Sequence, residues 1–271
     1  MFLGGVCMSM LIVSDFDGTL IDDLGSIPYS TVGLIDKLRR NGHKFAVATG
    51  RCLKSVLDYN KDFCFMDYII SSNGAYIYDT NLKKAIYKKN LLITNVRKIV
   101  KKYIDKSIIY VTDHNVWHLL SKSSAYEEDF DVIREKDYNS FLSNNKDNIY
   151  KIELYFKSIQ DAKDCMNDLD KMNLKICANL QINGSRYIVE VTHQEVNKLQ
   201  GVIKVSKKVK CSLDEVIAFG DGYNDITLLK NVGYGIALEN ALDDVKKIAY
   251  DVTLDNNNKG VEKYLIKHFS K

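Results

Sequence analysis

Proline is nearly absent: Pro28 stands alone among 271 residues, which excludes a proline-rich spacer between domains. Paired cysteines are lacking too. Cys7, Cys52, Cys64, Cys165, Cys177 and Cys211 are scattered, with no CxxC pair. That pattern excludes a disulfide framework and a zinc site, and fits reduced thiols in a cytoplasmic protein. An excess of one charge is also lacking. The formal net charge of +3 is too small to argue for a nucleic-acid partner. No apolar run reaches the roughly 20 residues of a membrane span, so no membrane role is expected. The first residues, MFLGGVCMSMLIV, are apolar but carry no basic start and run directly into Asp15. They read as an extension leading into the first core strand rather than a signal peptide, with Met8 or Met10 as alternative starts. No motif speaks to an oligomeric state.

What is present is an ordinary globular balance of 46% hydrophobic and 27% charged residues. The length suggests about two domains. Short apolar strands alternate with amphipathic helices at both ends of the chain. MLIVS (10–14), KFAVAT (44–49) and DYIIS (67–71) read as strands, with helices over 30–42 and 52–60 between them. NGAYIYD (73–79) begins on an Asn-Gly turn signal and reads as a hairpin arm. Further strands at 214–220, 234–238 and 250–254 alternate with helices at 224–232, 241–249 and 259–269. This predicts a parallel sheet covered on both faces. The middle differs. A helix at 91–104 precedes strands at 107–113, 116–121, 150–156, 174–180 and 186–192, with one more helix near 159–172 and a polar loop over 122–148. The expected fold is therefore α/β, a Rossmann-like parallel sheet core with an inserted α+β cap domain. The boundaries are placed at 1–81 (core), 82–188 (cap) and 189–271 (core).

The unusual polar residues fall at strand ends, where open parallel sheets bind ligands. Asp15 and Asp17 follow the first strand. Thr49, Gly50 and Arg51 follow the second, and Ser71, Ser72 and Asn73 the third. Asp221, Asn224 and Asp225, in GDGYND, follow the fourth. Several carboxylates on one rim need a cation, and all-oxygen donors suit Mg²⁺ or Ca²⁺, with Mg²⁺ the usual companion of phosphate chemistry. An EF-hand is excluded, because DFDGTLIDD lacks that loop's glycine and glutamate positions. One carboxylate of such a pair can be a nucleophile and the second a proton donor and acceptor. Thr49 offers a hydroxyl and an N–H to phosphoryl oxygens, and Lys198, before a helix, offers a positive charge.

Together these segments resemble the haloacid dehalogenase superfamily, Cof-type branch. DFDGTL (15–20), ATGR (48–51), NKLQG (197–201) and GDGYND (220–225) match its four motifs in order, and SSNGA (71–75) and KGVEKYL (259–265) are similar to this branch. The resemblance implies that Asp15 attacks phosphorus, that Asp17 is the general acid and base, and that Asp15, Asp221 and the Asp17 main-chain carbonyl hold Mg²⁺. It further implies that Thr49, Gly50 and Lys198 bind the phosphoryl group, with Asn224, Asp225, Arg51 and Asn73 in support. Two positions depart from the family pattern. Leu199 follows the lysine where glycine is common, with Gly201 two further on, and Glu239–Ala241 reads ENA rather than GNA.

For Arg51 both readings stand: an ion-pair partner of an acid, or a substrate contact. His114 and His118 lie four apart on a strand-like stretch and are read as structural rather than metal ligands. The expected activity is an Mg²⁺-dependent phosphatase acting on a small-molecule phosphate monoester, a sugar phosphate or a cofactor phosphate such as pyridoxal phosphate or FMN. A phosphosugar mutase and a non-catalytic phosphometabolite sensor on the same fold are the alternatives.

Overall fold

The computed structural model describes residues 9–61, 63–120, 132–183 and 185–270. The extension expected over residues 1–8, the last residue of the strand expected at 116–121, and the 122–131 part of the expected loop lie outside the described residues.

In chain order the first elements are β1 (Leu11–Ser14), α1 (Tyr29–Arg40), β2 (Lys44–Ala48), α2 (Leu53–Asn60), β3 (Tyr68–Ser71), β4 (Tyr76–Asp79), β5 (Lys84–Lys88) and α3 (Ile93–Tyr103). Then come β6 (Ile108–Thr112), β7 (Trp117–Leu119), β8 (Val132–Arg134), α4 (Tyr138–Asn144), β9 (Lys151–Phe156), α5 (Ile159–Lys171), β10 (Ile176–Asn183) and β11 (Arg186–His193). The chain closes with α6 (Lys198–Val209), β12 (Val216–Gly220), α7 (Ile226–Leu229), β13 (Tyr234–Leu238), α8 (Asp243–Lys246), β14 (Asp251–Thr253) and α9 (Gly260–Phe269).

One sheet has the order β14-β13-β12-β1-β2-β3-β4-β5. It is parallel from β14 to β3, and β4 and β5 are added antiparallel. β1 lies inside it, with Val13 opposite Ala218 on one side and Ala46 on the other. Its strands are apolar throughout because both faces are covered. Ile12, Phe45, Val47 and Phe219 pack with α1, α2 and α9 through Ile35, Val56 and Leu265. Leu11, Val13, Ala46 and Ile70 pack with α6, α7 and α8 through Val202, Val205, Leu228 and Val245. Each fully buried Val, Leu, Ile or Phe side chain among them contributes about 1.5–3 kcal/mol.

The second sheet has the order β10-β11-β9-β6-β7-β8 and is antiparallel except for the β7–β8 pair. Strand alternation gives it two different faces. Ile109, Val111, Ile152, Leu154, Val189 and Val191 form one, buried under α3, α4 and α5. Tyr110, Lys151, Glu153, Tyr155, Ile188 and Glu190 alternate with them, and this second face turns toward the first sheet, where Cys52 packs with Tyr110 and Ile188 and Lys151 bonds the Gly50 carbonyl.

The structure differs from the sequence expectations at several elements. β5, expected inside the cap, pairs with β4 in the first sheet, and the second sheet runs on to His193 rather than stopping at 188. The polar stretch expected as loop contains β8 and α4, where the Asp137 side chain caps the helix from the Asn139 N–H and Phe141 and Leu142 are buried. The helices expected at 224–232 and 241–249 shrink to the single turns α7 and α8. Among the described residues the five cysteines are free, and no helix is long and apolar enough to cross a membrane.

Candidate active site

The carboxyl ends of β1, β2, β3 and β12 meet at one rim of the first sheet. Asp15 follows β1 directly, and its N–H donates to the Phe219 carbonyl at 2.9 Å, so the strand fixes its backbone. Lys198, the first residue of α6, is buried and donates from Nζ to Asp15 Oδ1 at 2.6 Å and to Asp225 Oδ1 at 2.7 Å. Asp225 is fully buried and takes the Asp221 and Gly222 N–H groups on Oδ2, at 3.2 and 3.0 Å. Both its oxygens are thereby engaged, which makes it an anchor for Lys198 and for the loop after β12. Asp221 Oδ1 accepts from the Thr19 hydroxyl at 2.7 Å. Gly18 has φ +71, and a Cβ there would lie 2.6 Å from Asp221 Oδ2, so the turn after Asp17 requires glycine on both counts.

Asp15, Asp221 and Asp225 each bring a carboxylate oxygen to within 4.8 Å of the others. Burial pushes the Asp15 carboxyl well above the usual range; Lys198 pulls it down, and Asp225 and Asp221 push it up again. Asp221 is also raised, by burial first and by Asp225 among its neighbours. Three crowded acids with one ammonium between them form a set of hard oxygen donors that fits a divalent cation such as Mg²⁺. With Asp225 committed to Lys198 and two N–H groups, Asp15 and Asp221 are the side chains able to hold it.

Asp17 stands apart from this cluster. Its half-exposed carboxylate takes Arg51 Nε on both oxygens, at 3.1 and 2.9 Å, and Arg51 Nη2 at 2.6 Å. The guanidinium lies 5.2 Å from the Phe16 ring centroid and 5.8 Å from that of Tyr59. In this structure Arg51 is thus the partner of an acid. Thr49 is buried, and its hydroxyl oxygen accepts the Arg51 N–H at 3.1 Å. The next turn closes back on this loop: the Ser72 N–H donates to the Arg51 carbonyl at 2.8 Å and the Asn73 N–H to the Thr49 carbonyl at 2.9 Å. Asn73 Oδ1 accepts from Asn224 Nδ2 at 3.2 Å, which joins the β3 turn to the β12 loop.

The departures from the motif pattern have structural counterparts. A Cβ on Gly201 would fall 2.4 Å from Ile70 Cγ2 and 3.3 Å from the Gly74 Cα, so it is this glycine, three positions after Lys198, that lets α6 lie close against β3. In ENA, Asn240 Nδ2 donates to the Gly18 carbonyl at 2.8 Å and Glu239 is exposed. His118 pairs with Glu135 at 2.7 Å and His114 stacks on Tyr76, with ring centroids 5.4 Å apart.

Sequence reasoning missed Lys151, Glu153 and Glu190. They are buried on the core-facing side of the second sheet and reach Gly50 and Asn73 at the rim. The available signal was the alternation in YKIELYF and RYIVEVT, which sets charged residues between apolar ones.

Residues 12–265 match the sequence profile described as haloacid dehalogenase-like hydrolase. The chain belongs to this family. Among curated relatives, it is 26% identical to the 5-amino-6-(5-phospho-D-ribitylamino)uracil phosphatase YitU of Bacillus subtilis, over 96% of this chain and 97% of that protein. A haloacid dehalogenase-like hydrolase from Bacteroides thetaiotaomicron shares the fold with a TM-score of 0.81 at 22% identity, covering 96% of this chain and 99% of that one. The subclass IIB sugar phosphatase BT4131 does so with a TM-score of 0.79 at 23% identity, covering 97% and 99%.

Proposed function

We propose that this hydrolase is an Mg²⁺-dependent phosphatase of small phosphate monoesters, working through an aspartyl-phosphate on Asp15. The observation that carries the reading is the buried Asp15 carboxylate bonded by Lys198 at 2.6 Å beside Asp221, at the carboxyl end of the central strand. An Asp15 oxygen forms a bond to phosphorus while the ester P–O bond breaks, and Asp17 gives a proton to the leaving alkoxide. Asp17 then takes a proton from water as its oxygen attacks phosphorus, the Asp15–phosphorus bond breaks, and free phosphate leaves. Lys198 orients Asp15 and balances negative charge on the phosphoryl group, whose oxygens are received by the Thr49 hydroxyl and the N–H groups of the loop at Gly50. Mg²⁺ held by Asp15, Asp221 and the Asp17 carbonyl would screen the approach of an anionic phosphate to an anionic nucleophile. The second domain, placed between the two core segments, serves as a cap that encloses the leaving group.

The named activities of YitU and BT4131, on a phosphorylated ribitylaminouracil and on sugar phosphates, support a polyhydroxylated leaving group. Pyridoxal phosphate and FMN belong to the same range of substrates. The test is a phosphate-release panel over sugar, nucleotide and cofactor phosphates, with Mg²⁺ and with chelator. Release of free phosphate that chelation abolishes is expected. No turnover of any monoester, or turnover untouched by chelator, overturns the reading, and an isomeric phosphate without free phosphate marks a mutase instead.

A further inference from the structure

Lys151 opens β9 and is 1% exposed. Its ammonium group donates to the Gly50 carbonyl at 2.8 Å, to Glu153 Oε1 at 2.6 Å and to Glu190 Oε1 at 2.8 Å, and stands 4.5 Å from the Trp117 ring centroid. All three ammonium protons are used. Glu153 Oε2 accepts from the Tyr155 hydroxyl at 2.8 Å. Glu190 Oε2 accepts from Asn73 Nδ2 at 3.0 Å and from Gln181. Asn73 in turn holds Asn224, and its own N–H is bonded to Thr49. Gly50 lies directly beneath: a Cβ there would touch Asn73 Oδ1 and Glu190 Oε1 at 3.4 Å and Lys151 Nζ at 3.6 Å.

A buried ion pair is a poor source of stability, because desolvating the two charges offsets their attraction. Nor are these groups free to take up substrate, since their donors and acceptors are engaged within the protein. What they do reach is specific: two loops of the phosphate site, from the opposite domain. Through Asn73 they also reach a third.

We propose that Lys151 and Glu190 are positioning residues of the hydrolytic site. From the cap they hold the Gly50 carbonyl and the Asn73 side chain, and so align the loops after β2, β3 and β12 for phosphate. The phosphate-binding arrangement of the core is then complete only with the cap seated. The inference rests on the phosphatase reading above.

The test uses the full chain with Mg²⁺. The readouts are inorganic phosphate binding by calorimetry, kcat and KM on p-nitrophenyl phosphate, and thermal unfolding as a control for folding. Glu190→Gln keeps an oxygen for the Asn73 amide and is expected to bind phosphate within about threefold of the parent, whereas Glu190→Leu loses that bond and weakens binding about tenfold or more. The double variant Lys151→Met/Glu190→Leu removes both charges and leaves no unpaired ammonium, so it keeps the fold even where the single variant does not. It too is expected to lose about tenfold in phosphate affinity. A folded double variant with the parent's phosphate affinity and kcat/KM overturns the inference, since a merely structural pair would change only the unfolding midpoint. A parent that neither binds phosphate nor hydrolyses any monoester overturns the phosphatase reading, and this inference with it. An active parent matched by its variants overturns this inference alone.

Discussion

Asp15 and Asp17 are two positions apart yet sit in opposite environments. Asp15 is buried with Lys198 and two further acids, whereas Asp17 is half-exposed and gripped by Arg51 through three N–H···O contacts. The Asp17 carboxylate has no place in the three-acid cluster. Under the proposed mechanism, Asp17→Asn removes a proton carrier without removing a side-chain cation ligand. We expect kcat to fall about a hundredfold or more while the Mg²⁺ concentration for half-activation moves less than about twofold. A Mg²⁺ titration of activity in parent and variant measures both, and a large loss of Mg²⁺ affinity would contradict the assignment. Residues of this kind were legible in the sequence because each interrupts an apolar pattern at the end of a parallel strand, where topology says ligands gather. Lys151, Glu153 and Glu190 were not legible. They obey strand alternation, and alternation alone does not reveal whether a polar face meets water or another domain.

At the scale of elements, α6 is placed by its first turn. Asn197 caps it by accepting the Gln200 N–H at 2.9 Å, and Gly201 lets it press onto Ile70 and Gly74. Gly201→Ala would put a methyl carbon 2.4 Å from Ile70 Cγ2, inside contact distance, and Ile70 is fully buried with no room to retreat. The helix must then lift and draw Lys198 away from Asp15. Chemical denaturation should show a loss of about 1–3 kcal/mol, and kcat should fall with it. Loss of stability with unchanged kcat would mean that Lys198 keeps its place despite the strain. The long helices α1, α3 and α5 were readable because several turns repeat the apolar spacing. α7 and α8 carry one turn each, and β8 has three residues, so periodicity has almost nothing to repeat. β5, with lysines at both ends, is defined by its pairing to β4 across a bulge, which is a contact between segments and not a local pattern.

At the scale of the whole molecule, the two sheets meet over a buried cluster whose charge depends on pH. Burial pushes the Glu153 carboxyl up; Lys151 lowers it, Glu190 raises it, and the result is about 7. Burial also acts on Glu190, but the Lys151 charge and its hydrogen bonds bring it below the usual value, so its own titration lies at acid pH. The folded protein thus keeps a proton on Glu153 at pH values where the unfolded chain, with an ordinary glutamate near 4.3, has released it. The stabilisation from that proton is complete below the unfolded value and is lost as pH rises through about 7. Histidines overlap this range: His118, raised by Asp113 and Glu135 against its burial, acts in the same direction, while His43 and His193, lowered by burial, act in the opposite one. The raised carboxyls of Asp15 and Asp221 add to the slope as well, so it is shared among several groups, and the difference between two proteins isolates one of them. Glu153→Gln preserves an acceptor for Lys151 but cannot ionise. Melting curves from pH 6 to pH 8 should fall more steeply for the parent than for Glu153→Gln. The difference in slope should be largest below about 7, where folded Glu153 holds a proton that the unfolded chain has released, and the two profiles should run parallel toward pH 8, where the group is ionised in both states. Parallel profiles across that range would show that Glu153 carries no proton where the two sheets meet, and would leave Lys151 compensated by two full carboxylates instead of one.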